Sequence, residues 1–351
     1  MAAELPHLRP GHRLLACSLP VQDELPVPAL LDLAIQAEDL GYDWLFLGEI
    51  AGPEAFSLLG AIAASTDSIG LATSIVSIYG RSPALLAMGY ATLDALAPGR
   101  ILAGVGAGSR LIAEDWHDRP FEQPAKRMAE VVTSIRTLLT GQRVREIGEL
   151  APVSRFRLMP ATSHEVPILV AAIQPRMLKV AGAVADFVYL AFCPEDEIGE
   201  RISLVRQGAE EAGRDPKEVT IGLTLNVYAG DELEAAERRM RKFVLHYASL
   251  PTHQEGFAAH RAQLTKALAL LEDGDRDGAA AALPWEVVDR VAAIGTPAEV
   301  ASRVSRYWDA GIDVMALHVL GAGDGDVSGP RQTAEAVIRE LRPDSESRDA
   351  R

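Results

Sequence analysis

The fold of this chain is decided by two stretches, Thr73-Ser-Ile-Val-Ser-Ile-Tyr-Gly-Arg-Ser-Pro83 and Ile101-Leu-Ala-Gly-Val-Gly-Ala-Gly-Ser109. Each has the pattern of a buried strand that ends in a loop of small and polar residues. Two such strand ends close together in sequence indicate parallel strands that open onto one shared pocket. Both α/β barrels and doubly wound sheets place their binding sites at such an edge.

Short apolar runs alternate with helical patterns along the rest of the chain. The predicted strands are 13–19, 44–47, 69–76, 101–105, 166–172, 187–191, 219–228 and 314–320. Eight strands that alternate with helices favour an α/β fold of the (β/α)8 TIM barrel type over an open sheet. The 351 residues are compatible with one such barrel.

The barrel pattern sets the expected domain organisation. We expect a single barrel domain over 13–342, preceded by an N-terminal extension at 1–12 and followed by a charged, disordered tail at 343–351. Three insertions interrupt the alternation. They are a polar segment at about 109–123, a hairpin-like segment at 142–160 and a long helical region at 232–290.

Composition limits the classes of partner. The formal net charge is -15, and there is no cluster of Lys and Arg, which argues against nucleic acid and against an anionic membrane surface. No apolar run is long enough to span a bilayer. The two cysteines, Cys17 and Cys193, form no disulfide framework or redox motif, so we expect a cytoplasmic protein.

The glycine-rich run after the fourth strand is a candidate ligand contact. Gly104-Val-Gly-Ala-Gly108 allows close backbone approach and exposes N–H groups to an anion. Its spacing is GxGxG, not GxGxxG, and we predict no helix directly after it, so the dinucleotide-binding interpretation is weak. A tight turn between strand and helix explains the pattern equally well.

Several charged and aromatic side chains are predicted near the pocket edge. Glu49 ends the second strand, where a carboxylate faces the pocket or caps the next helix. Three arginines, Arg81, Arg110 and Arg176, follow predicted strands and are suited to bind phosphate or carboxylate, although single arginines are more often surface residues. His117 and His318 are the histidines predicted on the pocket side, and no spacing of histidines predicts a metal site.

On these motifs the chain resembles the luciferase-like flavin and deazaflavin oxidoreductases, and within them the methylene-tetrahydromethanopterin reductase branch. Four segments carry the resemblance: Ala37-Glu-Asp-Leu-Gly-Tyr-Asp-Trp-Leu-Phe-Leu-Gly-Glu49, Ala91-Thr-Leu-Asp-Ala-Leu-Ala-Pro-Gly-Arg-Ile-Leu-Ala-Gly-Val-Gly-Ala-Gly108, Pro167-Ile-Leu-Val-Ala-Ala-Ile-Gln-Pro-Arg-Met-Leu-Lys-Val-Ala-Gly182 and Gly295-Thr-Pro-Ala-Glu-Val-Ala-Ser-Arg-Val304. The second segment is the most specific.

The resemblance implies a cofactor across the barrel mouth, coenzyme F420 or alternatively FMN. It implies a bulged third strand with a cis peptide at Ser74-Ile75 behind the ring, and Glu49 beside the ring. The implied cofactor contacts are Glu49, Ser74, Ile75, Val76, Gly106, Ala107, Gly108, Ser109, Ala172, Ile173, Gln174 and Arg176. Relatives often carry His after the acidic residue and Gly before the proline, whereas this chain has Ile50 and Ile173-Gln174.

The activity implied is that of an F420-dependent oxidoreductase that transfers a hydride to or from a small organic substrate. Glu49, with Tyr79 and His117 as further candidates, would handle the proton. Two alternatives stay open: an FMN-dependent monooxygenase, and a non-catalytic flavin-binding partner subunit, which the Ile50 replacement motivates. The resemblance also implies a homodimer.

Overall fold

The computed structural model describes residues 8, 11–23, 25–250, 253, 257–258, 260–323 and 326–342. The predicted tail 343–351 therefore lies outside the described residues, as does most of the predicted extension 1–12.

Strands within the described residues are β1 Leu14–Ser18, β2 Trp44–Gly48, β3 Gly70–Ser77, β4 Ile101–Gly106, β5 Val144–Ile147, β6 Val153–Phe156, β7 Ile168–Ala171, β8 Phe187–Leu190, β9 Thr220–Ala229, β10 Ala292–Gly295 and β11 Val314–Val319. Helices are α1 Val27–Asp39, α2 Ala55–Ala63, α3 Pro83–Leu96, α4 Pro124–Leu139, α5 Pro175–Val184, α6 Ile198–Glu211, α7 Leu233–Ser249, α8 Arg261–Glu272, α9 Arg276–Ala282, α10 Trp285–Asp289, α11 Pro297–Asp309 and α12 Gly329–Leu341.

Eight of these described strands form a closed parallel barrel. The order is β1-β2-β3-β4-β7-β8-β9-β11, and the ring closes where β11 pairs with β1. The predicted (β/α)8 barrel is thus confirmed. Helix starts follow from local sequence: Ser82 Oγ accepts from Leu85 N at the start of α3, and Thr296 with Glu299 forms a capping box at α11.

Large side chains fill the lower barrel interior. Phe46 lies 6.1 Å from Phe187 and 5.3 Å from Tyr189 between ring centroids, both in edge-on arrangements. These rings belong to a buried cluster of Leu14, Ala16, Trp44, Phe46, Ala72, Leu102, Leu169, Phe187, Tyr189, Val314 and Ala316. Because the lower interior is packed, any ligand must bind above it, at the carboxyl ends of the strands.

The segments 142–160 and 232–290 contain elements outside the eight-stranded ring, and β10, which follows the second segment, was not predicted from the sequence. β5 and β6 form the expected antiparallel hairpin. The helical region contains α7 to α10 in its described part and has its own apolar cluster. The unpredicted β10 pairs with the upper half of β9, and its four residues are too few to produce a recognisable alternation. No helix among the described residues is both long and apolar enough to cross a membrane.

Candidate cofactor and active site

A β-bulge in β3 shapes the barrel mouth. On one side Leu47 pairs with Thr73 but Gly48 pairs with Ile75, so Ser74 is an extra residue. The register with β4 shifts over the same segment, between Ala72 and Val76. The bulged third strand that the resemblance implies is therefore present, and it changes the direction of the chain at the end of the strand.

Side chains hold the bulge where the backbone ladder is interrupted. Thr73 Oγ1 donates to Gly104 O over 2.8 Å and accepts from Gly104 N, also over 2.8 Å. Tyr90 OH lies 3.0 Å from Thr73 Oγ1 and donates to Gly104 O over 2.9 Å. These buried groups satisfy the backbone polar atoms that the bulge would otherwise leave without partners.

Glycine is favoured at each of the three positions of the GxGxG run for a different physical reason. A Cβ on Gly104 would lie 1.6 Å from the carbonyl oxygen of Thr73, so only glycine permits the bulge to approach β4. A Cβ on Gly106 would lie 2.5 Å from Ile75 Cγ2. Gly108 has a φ of +62°, which favours glycine.

The cis peptide implied at Ser74-Ile75 is absent. The cis bond in the described part of the chain is Met159–Pro160, and the Ser74–Ile75 bond is trans. The extra residue and the Thr73 hydrogen bonds accommodate the change of direction without it.

Glycines on the two neighbouring strands let the side chains of the bulge approach closely. Gly48 and Ser74 adjoin each other, because a Cβ on Gly48 would be 3.4 Å from Ser74 Oγ. Gly106 similarly adjoins Ala171 at 3.6 Å, and Ile75 is partly exposed above Gly106. We call these five residues the cradle. Four of the five residues are small, and Ile75 is the one large side chain, partly exposed, that a flat cofactor ring would contact.

The two segments predicted to bind the cofactor tail are neighbours in space. They follow β4 and β7, which pair directly. The first segment, 107–109, continues into a helical turn that begins at Arg110 and becomes the π-helical segment Ile112–Trp116. Ser109 Oγ accepts a hydrogen bond from Ile112 N over 3.3 Å at the start of this turn. The expectation that no helix follows the glycines was therefore wrong, because the polar side chains of this turn hid its helical pattern.

The second tail segment, 172–176, leads into α5. Ala172 N donates to Tyr189 O over 3.0 Å, which keeps this end on the barrel. Ile173 O accepts from the Arg201 guanidinium over 2.8 Å. Gln174 is the N-cap of α5, whose first turn contains Pro175, and Arg176 is exposed beside it. Free N–H groups at such a helix start favour an anion.

Three candidate residues, Val76, Glu49 and Arg81, differ in whether their side chains are free to contact a ligand. Val76 is fully buried between barrel and helices, so only its backbone is near the cradle. Glu49 is linked to the bulge through its N–H, which donates to Ile75 O over 2.9 Å. Its carboxylate accepts from both terminal nitrogens of Arg81 and from Ala55 N at the start of α2. The sequence offered Arg81 as one of three arginines suited to bind an anion, but its pairing with Glu49 could not be read from the sequence.

Tyr79 and His117 flank the loop after β3. Tyr79 is buried, its hydroxyl donates to Glu122 O over 3.3 Å, and Arg127 lies 4.6 Å above its ring. Burial raises the pKa of the Tyr79 hydroxyl. His117 is exposed and lies over Gly80, where its Nε2 would be 3.1 Å from an added Cβ. Of these two side chains, His117 is the accessible one.

A polar pair on the opposite side of the mouth was not among the predicted catalytic or cofactor residues. His318 Nδ1 lies 2.9 Å from Asn226 Oδ1, and both side chains are buried at paired positions of β11 and β9. Asn226 Nδ2 has no hydrogen-bond partner among the described residues. Burial lowers the pKa of His318 to about 4, so the imidazole is neutral at pH 7.

An aromatic wall from the insertion covers this pair. Phe243 lies 5.2 Å from His318, and Tyr247 lies 5.0 Å from Phe243, between ring centroids. Phe192 contacts Tyr247 at 4.6 Å while holding a φ of +48°, an unfavourable backbone conformation for this buried residue. The sequence predicted a long helical region at 232–290, but not that its aromatic side chains would reach the barrel mouth.

The comparisons with known proteins agree with this geometry. A sequence model of the luciferase-like monooxygenase family matches residues 15–314. The chain belongs to this family. This membership confirms the resemblance identified from the sequence motifs. The chain is an oxidoreductase.

Curated relatives include the 5,10-methylenetetrahydromethanopterin reductase of Methanolobus tindarius, which is 26% identical over 293 residues that cover 82% of this chain and 89% of the relative. An F420-dependent glucose-6-phosphate dehydrogenase of Mycolicibacterium gilvum is 27% identical over 332 residues, with 90% and 93% covered. The solved coenzyme F420 dependent tetrahydromethanopterin reductase from Methanopyrus kandleri superposes with a TM-score of 0.81 at 22% identity, covering 95% of this chain and 99% of that chain. The last similarity shows the fold.

Proposed function

We propose that this chain is a coenzyme F420-dependent oxidoreductase that transfers a hydride between the deazaflavin C5 and a small organic substrate. The observation that carries the proposal is the cradle at the β3 bulge, in which Ile75 is a partly exposed apolar side chain among four small residues. The names of the relatives support F420 as its occupant. When bound, the deazaflavin supplies the hydride chemistry, and the protein supplies position and orientation.

Within this proposal the cradle and the tail segments have separate tasks. Ile75, partly exposed above Gly106, would support one face of the ring. The backbone of 106–109 and of 172–174 would bind the tail, with Arg176 near its phosphate. The adjacency of β4 and β7 supports this division, since it brings both segments to one side of the mouth.

Hydride transfer to or from the substrate also requires a residue that donates or accepts a proton. Of the three predicted candidates, Glu49 has both oxygens engaged by Arg81 and the Tyr79 hydroxyl is engaged by the Glu122 carbonyl. His117 is exposed beside the loop after β3. We therefore rank His117 first for proton handling and assign Glu49 to shaping the ring site.

Two alternatives keep specific support. The description of the family names monooxygenases. Ile50 stands where many relatives have histidine, and it is 40% exposed at the mouth. An FMN-dependent monooxygenase is therefore the second candidate. A non-catalytic flavin-binding partner is the third, and it predicts ligand affinity without turnover.

Titration with F420 and with FMN, followed by fluorescence, separates these candidates. We expect saturable F420 binding that is weakened at least about tenfold by Gly106→Val, since a Cβ at 106 would lie 2.5 Å from Ile75 Cγ2 and displace the side chain that would support the ring. Circular dichroism and thermal unfolding check that the variant folds. Gly199→Val is the matched control, because nothing lies within 4 Å of a Cβ at that exposed position. Tight FMN binding with oxygen consumption would favour the monooxygenase, and absence of F420 affinity would exclude the leading proposal.

We also propose a homodimer and a cytoplasmic location. The dimer is supported by three large apolar side chains on α3 that are about half exposed: Leu85, Met88 and Leu96. The location is supported by two free, buried thiols, Cys17 and Cys193.

A further inference from the structure

A cavity of about 660 Å³ lies beside α7, away from the cradle. Its described lining combines α7 with α9 and the chain after β11, and its charged members are Arg238, Arg239, Arg241, Lys242 and Asp277. A volume of this size suits a metabolite rather than a single small ion.

The cavity lies at the carboxyl-end face of the barrel. Arg239 anchors α7 there, because its Nη1 donates to Gly321 O over 2.7 Å and its Nη2 lies 2.7 Å from Asp23 Oδ2. Gly321 follows β11, and Asp23 follows β1. The cradle belongs to β2, β3, β4 and β7, so the two sites lie at different sectors of the ring.

The lining is cationic although the chain as a whole carries a net charge of -15. Among the described lining residues are four Lys and Arg side chains and one carboxylate, Asp277. Asp23 pairs with Arg239, so four cationic side chains and two carboxylates are found among the described residues at the cavity. A concave surface of one sign concentrates ligands of the opposite charge.

The individual side chains are suited to a ligand that arrives from solution. Arg238 is exposed and makes no ion pair with any described residue. Lys242 Nζ lies 2.8 Å from Asp277 Oδ1, but the two side chains are 51% and 86% exposed, so this pair is weak and an anion can compete for it.

Arg241 is positioned before any ligand binds. Its Nη1 donates to Leu283 O, and its guanidinium lies 5.4 Å from the Trp285 ring centroid. A guanidinium has five N–H donors, so one carbonyl leaves others for an anion. A preoriented guanidinium loses less entropy on binding and favours the planar oxygens of phosphate or carboxylate.

We propose that this cavity binds a small molecule with at least two negative charges, such as a phosphate ester or a polycarboxylate, at a site separate from the cofactor cradle. Arg238 and Arg241 would bind its oxygens, and Lys242 would exchange Asp277 for the ligand. The proposal does not depend on which cofactor the cradle binds.

Calorimetric titration of the full chain with pyrophosphate and with citrate tests it. We expect one saturable site whose affinity falls with salt and decreases at least about tenfold in Arg238→Glu. Arg145→Glu, the same charge change at an exposed position in β5, should bind as the unmodified protein does. A preference for pyrophosphate would indicate a phosphate ester, and a preference for citrate a polycarboxylate.

The same variant distinguishes this site from the cradle. Arg238→Glu should leave F420 affinity unchanged, with folding checked by circular dichroism. The proposal is overturned if neither anion binds saturably, if Arg238→Glu binds them as well as the unmodified protein, or if it loses anion and F420 binding together.

Discussion

Arg81 binds Glu49 through both carboxylate oxygens, with Nη1 2.5 Å from Oε1 and Nη2 2.7 Å from Oε2. The two side chains are only 14% and 16% exposed. The guanidinium also contacts Glu54 and lies 5.0 Å from the Phe56 ring centroid. The acidic residue that follows β2 is thus a fixed part of the barrel mouth, joined to the start of α2.

Breaking this pair should destabilise the protein. Arg81→Gln leaves Glu49 as a poorly solvated carboxylate with fewer donors, so we expect a loss of about 2 kcal/mol in the free energy of unfolding. Chemical denaturation measures it. A double-mutant cycle with Glu49→Gln should give a coupling energy well above experimental error, and additive single effects would contradict the structure.

Gly104 should tolerate no side chain. Gly104→Ala would place its Cβ 1.6 Å from the Thr73 carbonyl oxygen, so the bulge must move, and we expect a loss of at least about 3 kcal/mol or failure to fold. Gly199→Ala, in the exposed first turn of α6, should be neutral or slightly stabilising. Equal stability of the two variants in denaturant would show that the close approach does not exist.

His318 should make stability depend on pH. Its folded-state pKa of about 4 lies below the ordinary value of 6.5, so the unfolded chain binds the additional proton between these values. The contribution of neutral His318 to the free energy of unfolding is fully present above pH 6.5, and it is lost as the pH falls toward 4. Between pH 7.5 and pH 5 the loss should be about 2 kcal/mol.

The His318→Gln variant isolates this effect. The stability difference between the unmodified protein and the variant should shrink by that amount as pH is lowered from 7.5 to 5. A pH-independent difference for His318→Gln would contradict burial of a neutral imidazole.

The exposed face of α3 should determine the oligomeric state. We expect light scattering to give twice the 37.6 kDa of one chain, and Met88→Glu to shift the mass toward the monomer, because it places a charge within an apolar patch. Leu233→Glu, at a position 39% exposed on α7, should leave the mass unchanged. A monomeric unmodified protein would refute the homodimer.

The site could be predicted from sequence only where a local pattern carries it. The ends of β3 and β4, the acidic residue after β2 and the glycine run all follow from runs of residue types, and the structure places them at one mouth. The Arg81 clamp, the Thr73–Tyr90 hydrogen bonds and the cationic cavity join residues from different elements. The trans bond at Ser74–Ile75 likewise contradicts what resemblance alone implied.

By itself the sequence determined the alternation of strands and helices, and hence the barrel, because hydrophobic periodicity and helix caps act over a few residues. It also determined which glycines end β4. Tertiary structure alone decided that position 104 must be glycine, because the carbonyl oxygen of Thr73 lies against it. It also decided that Arg81 binds Glu49 and that His318 is neutral beside Asn226. These depend on burial and on distances between elements far apart in the chain, which no local pattern encodes.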